Sequence, residues 1–129
     1  MGLVAGKELI VQRVGMVLML VALVGVQTIG QTGAATTQRI PQFENESVKV
    51  WKSVIVPNAP LTLHRHEHGR TIVALVGGDL KVVKDSGKTE VMHWETGKAY
   101  WLGPDPPGER HKDVNDTGKV IEVMVVEMK

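Results

Sequence analysis

From residue 48 to the end of the chain, short β-rich runs alternate with turn residues, and this alternation narrows the choice of fold more than composition does. Valine recurs throughout the runs, and β-branched residues favour strands. Several separators contain Gly, Asn or Asp, which tolerate the positive φ angles of hairpin turns. No helix-length amphipathic segment lies between the runs, which disfavours a parallel βαβ sheet. Eight such runs predict an all-β antiparallel sandwich or barrel, with strands at 48–56, 61–66, 71–76, 79–83, 89–94, 99–102, 111–114 and 119–128.

The predicted domain is small. It covers residues 48–129, and the polar segment ahead of it, 36–47, is expected to form an extended arm across the barrel or a neighbouring subunit. A domain of fewer than about 100 residues buries only a modest share of its surface. The chain has no cysteine, so disulfides cannot hold it, and a closed barrel, a bound metal or a partner subunit must contribute. We therefore expect a homodimer.

Residues 1–35 have the layout of a secretory signal peptide. Thirteen residues without a polar side chain, 14–26, follow Lys7 and Arg13, and small residues at 34–35 stand where a peptidase would cut. A membrane-spanning helix needs about 20 apolar residues, so an uncleaved membrane anchor is the less favoured alternative. We expect a periplasmic or secreted protein that is not stably inserted in the membrane after cleavage of the signal.

The charges of the remaining chain are balanced. Residues 36–129 carry 13 basic and 13 acidic side chains, and the basic residues form no stripe interleaved with aromatic residues. Such a surface offers no extended positive field that would attract nucleic acid. We therefore expect no nucleic-acid partner.

Three of the five histidines lie within one short segment, His64-Arg65-His66-Glu67-His68, directly after an apolar stretch. Side chains alternate along a strand, so His64 and His66 would share one face, with their α-carbons roughly 7 Å apart. Two imidazole nitrogens at this spacing can converge on one ion. Histidines also cluster on solvated strand faces, so this segment alone leaves a metal site and a solvated face as open alternatives.

A second fragment, from Pro106 to Asn115, reads PxGxxHxxxN and delivers His111 to the start of a predicted strand. The two fragments together resemble the two motifs of the cupin superfamily, G(x)5HxH(x)3-4E(x)6G and G(x)5PxGxxHxxxN, over nearly the whole predicted domain. The resemblance implies a small single-domain cupin with an antiparallel double-stranded β-helix, also called a jelly-roll barrel. It further implies that His64, His66 and His111 are the ligands of a divalent transition metal, which could be iron, zinc, manganese or nickel.

The match departs from the family pattern at three places. Asn58 stands at the opening glycine of the first motif, and a longer spacing between Gly97 and His111 predicts an enlarged loop at 103–108. The position of the usual glutamate ligand is Arg70, whose guanidinium cannot ligate a metal. The resemblance therefore implies a three-histidine variant of the cupin site that lacks the glutamate.

Arg70 decides what the predicted site could bind. If its side chain points inward, the metal and the guanidinium together would bind the carboxylate, phosphate or other oxyanion of a small anionic molecule. The alternative is that Arg70 turns outward or pairs with Glu67, Glu90 or Glu122, and leaves a weak metal site or none.

Other residues are candidates for further roles in the site. The aromatic residues Trp51, Trp94 and Trp101, with Tyr100, could form walls for the substrate, with Trp101 at the rim of the pocket, although such residues often only fill a barrel. His68 or Glu67 could supply a fourth ligand if a local bulge re-aimed its side chain. His93, on a different strand, is expected to be a half-exposed strand residue.

Three classes of function remain open at this point. The first is a metal-dependent enzyme, dioxygenase-like or isomerase-like, that acts on a small anionic substrate. Its catalytic residues are unknown, and Glu109, Tyr100 and Glu122 are candidates for a general base only by reach. The second class is a non-catalytic protein that binds a metal or another ligand. The third is a metal-free structural barrel in which Arg70 occupies the place of the ion.

Overall fold

The computed structural model describes residues 35–129, so the predicted signal segment lies outside the described residues except for its last position. Residues 35–129 form strands, turns and loops without a helix, which confirms the all-β prediction. In this part of the chain no helix is long and apolar enough to cross a membrane. The strands are β1 (Gln38–Glu44), β2 (Val48–Ile55), β3 (Arg70–Val76), β4 (Gly78–Lys84), β5 (Thr89–Trp94), β6 (Ala99–Leu102), β7 (His111–Val114) and β8 (Ile121–Met128).

The strands form two antiparallel sheets. One sheet has five strands in the order β1-β2-β8-β3-β6, and the other has three in the order β5-β4-β7. The long central strands β2 and β8 pair without interruption from Val48 opposite Met128 to Ile55 opposite Ile121. This arrangement confirms the predicted antiparallel fold, and the strands β2 to β8 coincide with seven of the eight predicted runs to within two residues at each end.

The predicted strand at 61–66 is wrong. This segment connects β2 to β3 and makes only one isolated bridge, between His64 and His111. It does follow β7, but Asn58, Leu61 and His64 bond to Asn115, Asp113 and His111 in turn. Successive bonds are therefore three residues apart along the 58–64 segment but only two residues apart along β7. A regular ladder needs equal steps on both strands and cannot form here.

The predicted arm at 36–47 contains strand β1, which pairs with β2 at the edge of the five-stranded sheet. All seven residues of β1 are exposed. The register shifts between Pro41 and Phe43, and a proline is tolerated there because an edge strand can leave one side of its backbone unpaired. The polar, exposed sequence of β1 lacks the alternation of a half-buried strand, and therefore gave no strand signal.

The core draws on both sheets. Strand β3 alternates buried and half-buried residues, and so does β8, as expected for strands with one face on the core. Trp51 and Ile55 from β2 pack in the same cluster as Leu80 from β4 and Trp94 from β5. The other buried members of this cluster are Ile72, Ala74, Ile121, Val123 and Val125.

Candidate metal centre

The three histidines predicted as ligands come together in the structure. His64 and His66 lie on the segment between β2 and β3, whereas His111 is the first residue of β7 in the other sheet. The backbones of His64 and His111 form a two-bond bridge with N···O distances of 2.9 and 2.8 Å. One nitrogen from each of the three rings lies within 4.8 Å of the other two. Metal–nitrogen bonds are about 2.1 Å long, so small side-chain adjustments suffice for one shared ion.

The hydrogen bonds of His64 leave one ring nitrogen free. Its Nδ1 lies 2.8 Å from the carbonyl oxygen of Thr62. A carbonyl only accepts, so Nδ1 carries the proton and Nε2 carries the lone pair. This Nε2 is buried and has no hydrogen-bond partner among residues 35–129. A buried acceptor without a partner costs free energy, and a metal ion is a group that would satisfy it.

His66 is held by a carboxylate from β8. Its Nδ1 donates to Glu127, whose side chain reaches it from near the end of that strand. Burial is the main cause that lowers the pKa of His66 to about 2, and the charge of Arg70 contributes. Burial also raises the pKa of Glu127. A neutral imidazole with its Nδ1 bound to a carboxylate presents Nε2 as a free ligand atom, the arrangement found behind many metal-bound histidines.

Asp105 connects the remaining parts of the site. Its Oδ2 accepts a hydrogen bond of 2.7 Å from the backbone N–H of His66 and lies 3.3 Å from Nδ1 of His111. Its own N–H donates to the carbonyl oxygen of His66 at 2.8 Å. Asp105 belongs to the enlarged loop at 103–108, so this loop braces two of the three histidines.

Arg70 points inward. It is buried, donates from Nη1 to the carbonyl oxygen of Gly103 at 3.1 Å, and has Nη2 3.6 Å from Oδ1 of Asp105. Burial lowers the pKa of Arg70, and the nearby carboxylates of Asp105 and Glu127 oppose that effect. The partner is therefore Asp105, and not one of the three glutamates considered from the sequence.

A cavity of about 200 Å³ lies beside the histidines. His66, His111 and Arg70 line it together with apolar side chains of both sheets, among them Leu80 and Val125. At about 30 Å³ per water molecule, this volume suits a small ligand. The cavity lining also includes Glu90, Met92, Trp94, Leu102, Glu109, Asp113 and Lys84.

Of the four aromatic residues considered as walls for the substrate, Trp51 and Trp94 line this cavity, whereas Trp101 and Tyr100 do not. Trp101 is 61% exposed, because side chains alternate along β6 and its neighbour Leu102 takes the inward position. Tyr100 faces inward, but its ring packs on Trp94 with a centroid separation of 4.8 Å, and its hydroxyl accepts the N–H of Glu95. Tyr100 therefore packs against the core, whereas Trp101 lies at the surface.

The two candidates for a fourth ligand, His68 and Glu67, are exposed. Among the described residues the cluster able to hold a metal consists of the three histidines alone. His93 is exposed on β5 and pairs with Asp79, away from the cluster. Of the residues considered as a general base, Glu109 lines the cavity, where it already pairs with Lys84 at 3.0 Å.

Strand β1 adds a residue to the site that the sequence did not indicate. The guanidinium carbon of Arg39 lies 5.2 Å from the ring centroid of Trp51, a cation–π geometry. Trp51 in turn stacks on His66, with ring planes 3° apart and centroids separated by 6.1 Å. Arg39 also lines the cavity. The edge strand therefore takes part in the site.

Several solved structures similar to this chain are described as cupins. A cupin domain from Bordetella pertussis Tohama I matches with a TM-score of 0.64 and 22% sequence identity, over 73% of this chain and 94% of that domain. An RmlC-like cupin with a double-stranded β-helix fold, from Methanocaldococcus jannaschii, matches with a TM-score of 0.57 and 12% identity, over 75% of this chain and 84% of that protein.

A third similar structure is an enzyme. The polyketide cyclase RemF from Streptomyces resistomycificus matches with a TM-score of 0.53 and 26% identity, over 74% of this chain and 67% of the cyclase. No protein-family model and no curated protein sequence matches the chain. The structural likeness, together with the two sheets and the histidine cluster, leads to one conclusion: the chain has the double-stranded β-helix fold of the cupins, with three histidines close enough to hold a metal ion.

Proposed function

We propose that the chain binds one divalent transition metal through His64, His66 and His111, and that the bound metal acts on a small anionic molecule. The observation that carries this proposal is the buried Nε2 of His64, which lacks a partner among the described residues while its own Nδ1 is bound to a carbonyl. The carboxylates beside the other two imidazoles support it, because a carboxylate that contacts Nδ1 orients the ring and leaves Nε2 for a metal.

The metal would be held by three neutral ligands. Iron, zinc, manganese and nickel all accept imidazole nitrogen, so ligand type does not choose among them. A bound ion would supply positive charge that polarises an anionic ligand. The inward-facing Arg70 would hold a second oxygen of the same ligand at the cavity wall, after exchanging its contact with Asp105 for the ligand.

Metal analysis of protein purified without a histidine tag tests the metal site. We expect about one equivalent of a transition metal in the unaltered protein. The variants His64→Ala and His111→Ala should lose it, whereas His93→Ala, which removes an exposed histidine outside the cluster, should retain it. Equal metal content in all four proteins would show that the ion is bound elsewhere.

Catalysis requires a separate test. The similarity to a cyclase supports an enzyme, dioxygenase-like or isomerase-like, and the small cavity supports a small substrate. Oxygen uptake by iron-loaded protein with a panel of thiols, diketones and phenolic acids would detect a dioxygenase. Uptake that is lost in His111→Ala and weakened in Arg70→Lys would support the proposed roles of the metal and the guanidinium.

One observation favours a non-catalytic metal-binding protein as the second candidate. Arg70 already bonds to Gly103 and contacts Asp105, so its charge is partly engaged without a ligand. In that case Arg70 would serve to orient Asp105 behind the histidines. Bound metal with no turnover of any compound in the panel would favour this second function.

We also propose that the protein is exported and forms a homodimer. The layout of residues 1–35 supports export. The small domain without cysteine and the fully exposed edge strand β1 support a second subunit. Cell fractionation with mass determination of the mature N-terminus tests export, and sedimentation equilibrium tests the dimer.

A further inference from the structure

A second concave surface shares Trp51 with the metal cavity. It is a groove of about 460 Å³ between β1, β2 and the histidine segment, and we call it the arm groove. Arg39, Trp51 and His66 line both the groove and the cavity. Lys49 and Arg65 line the groove and not the cavity. The remaining lining residues are Pro41, Gln42, Phe43, Glu44, Val50 and Glu127.

The arm groove concentrates cations that have no carboxylate partner. Among residues 35–129, Arg39, Lys49 and Arg65 have no carboxylate oxygen within 4.0 Å of a side-chain nitrogen, whereas most other lysines and arginines do. The Nε of Arg65 is moreover buried and without a hydrogen-bond partner in the described part of the chain. Buried polar atoms are normally paired, so this one requires an explanation.

The carboxylates in the groove do not cancel these charges. Glu44 is paired with Lys129 at 2.7 Å, and Glu127 bonds to the neutral ring of His66. Three cations therefore face one carboxylate that has no cationic partner. A groove with an excess of positive charge attracts a ligand of the opposite sign.

The groove also has an apolar wall. The ring of Phe43 is 59% exposed, and it lines the groove together with Pro41, Val50 and Trp51. Pockets that combine an apolar surface with a few convergent polar groups are typical of sites for small organic ligands. Apolar surface alone would suit many partners, but the convergent cations restrict the ligand to an anion.

We propose that the arm groove is a binding site for an organic anion with an apolar body, such as an aromatic carboxylate. The body packs on the exposed ring of Phe43, and the anionic group is held by Arg65 and Lys49, where the unpartnered Nε of Arg65 becomes a donor. This site goes beyond the proposed metal function and does not require a metal. It shares Arg39, Trp51 and His66 with the lining of the metal cavity.

The test is an NMR titration of the purified protein with 2-naphthoate, followed at the backbone N–H groups of Phe43 and Lys49, which line the groove and not the metal cavity. We expect saturable shifts of these two signals and little change at the indole N–H of Trp101, which does not line the groove. The neutral analogue 2-naphthalenemethanol should bind at least about fivefold more weakly, because it lacks the charge that the cations attract. Equal binding of the neutral analogue would overturn the assignment to anions.

Charge-removing variants locate the site. Arg65→Gln and Lys49→Gln should each raise the Kd for 2-naphthoate about fivefold, and the double variant about twentyfold. Lys112→Gln and Lys119→Gln are matched controls, since both lysines lie outside the groove and have no carboxylate partner among residues 35–129. Equal losses in these controls would mean that overall charge, and not the groove, governs binding.

Two further measurements separate this proposal from the others. Metal content should be unchanged in Arg65→Gln and Lys49→Gln, and 2-naphthoate should bind with and without a chelator present. Loss of 2-naphthoate binding on chelation would place the ligand at the metal and overturn the separate site. A change in sedimentation mass in the two variants, without a change in Kd, would assign the groove to the interface between two copies and would equally overturn it.

Discussion

The groups that contact Nδ1 of each histidine set the orientation of its imidazole ring. Glu127 bonds to Nδ1 of His66, and Asp105 lies 3.3 Å from Nδ1 of His111. In His64 a backbone carbonyl takes the place of the carboxylate. In each ring the contact at Nδ1 leaves Nε2 as the nitrogen that can ligate a metal. The metal affinity of the site should therefore depend on residues that never touch the metal.

Removal of the carboxylate behind His66 tests this dependence. Glu127→Ala should weaken metal binding about 10-fold to 100-fold, because His66 then loses the partner that orients its ring. Glu127→Gln should reduce the metal affinity less, since the amide oxygen of glutamine can still accept a hydrogen bond from Nδ1 of His66. The control is Glu122→Gln on the same strand, where the side chain pairs with Lys52 instead. Competition titration with a metal-binding dye measures all four affinities, and a loss as large in Glu122→Gln would refute the explanation.

Asn115 has a comparable role for the backbone that carries His111. Its side chain is fully buried and donates to the carbonyl oxygens of Ile55 and Lys119 at 2.8 and 2.6 Å. Its Oδ1 accepts from the N–H of Thr117 at 3.0 Å. One amide therefore joins the end of β2 to the turn that follows β7.

Replacement of this amide should lower stability. Asn115→Ala removes the buried hydrogen bonds to the carbonyl oxygens of Ile55 and Lys119, and we expect a loss of about 1–3 kcal/mol in the free energy of unfolding. Asp116→Ala, at the exposed neighbouring position, should leave stability nearly unchanged. Urea unfolding followed by tryptophan fluorescence provides the comparison. Equal stability of Asn115→Ala and the unaltered protein would mean that water replaces the amide.

At the scale of whole elements, two glycines differ in what surrounds them. A Cβ atom at Gly77, between β3 and β4, would lie 2.1 Å from the carbonyl oxygen of Trp94 and 2.8 Å from the backbone nitrogen of Thr96. A Cβ atom at Gly69, just before β3, would instead meet the ring of Trp101 at 2.3 Å. That ring is 61% exposed and can swing away, whereas the backbone at 94–96 cannot.

The two alanine variants should therefore have different stabilities. Gly77→Ala forces the β3–β4 turn apart from the end of β5 and should cost about 3 kcal/mol. Gly69→Ala should cost less than about 1 kcal/mol, with a change in the fluorescence of Trp101 as its ring moves. Thermal unfolding of both variants gives the comparison. If Gly69→Ala were the more damaging change, Trp101 would be held far more firmly than its exposure implies.

The elements also show where sequence patterns stop being informative. The buried strands alternate strongly, so their positions could be predicted closely. Strand β1 is exposed throughout and carries no such pattern, and 61–66 alternates like a strand but meets β7 with three residues against two. Exposure and register depend on how the strands assemble, so the residue pattern of a single segment cannot predict them.

For the molecule as a whole, some residues of the candidate site could be predicted from the sequence and others could not. The two motifs predicted the three histidines, and the inward parity of Glu127 after the buried Val123 and Val125 was a signal that a carboxylate faces the interior. No comparable signal exists for Asp105, because loop residues have no periodic orientation. The direction of the Arg70 side chain could not be predicted from the sequence either. Its carboxylate partner, Asp105, lies on that same loop, 35 positions further along the chain.

The placement of the histidines connects metal binding to the stability of the entire fold. His64 and His66 lie on the segment that leads into the five-stranded sheet, and His111 begins β7 of the three-stranded sheet. A shared ion would therefore tie the two sheets together, in a chain that has no cysteine to do so. An ion that binds the native state alone stabilises it in proportion to the logarithm of its concentration over Kd.

We expect metal at 100 times its Kd to stabilise the protein by about 2.7 kcal/mol, which for a domain of this size raises Tm by roughly 10–20 °C. The double variant His64→Ala/His111→Ala should show no such rise, because it keeps only one of the three ligands, whereas His93→Ala should respond like the unaltered protein. Calorimetry with zinc, manganese, iron(II) and nickel, each against a chelated sample, measures the effect. A rise of the same size in the double variant would show that the metal stabilises the fold from another site and that these histidines do not join the two sheets.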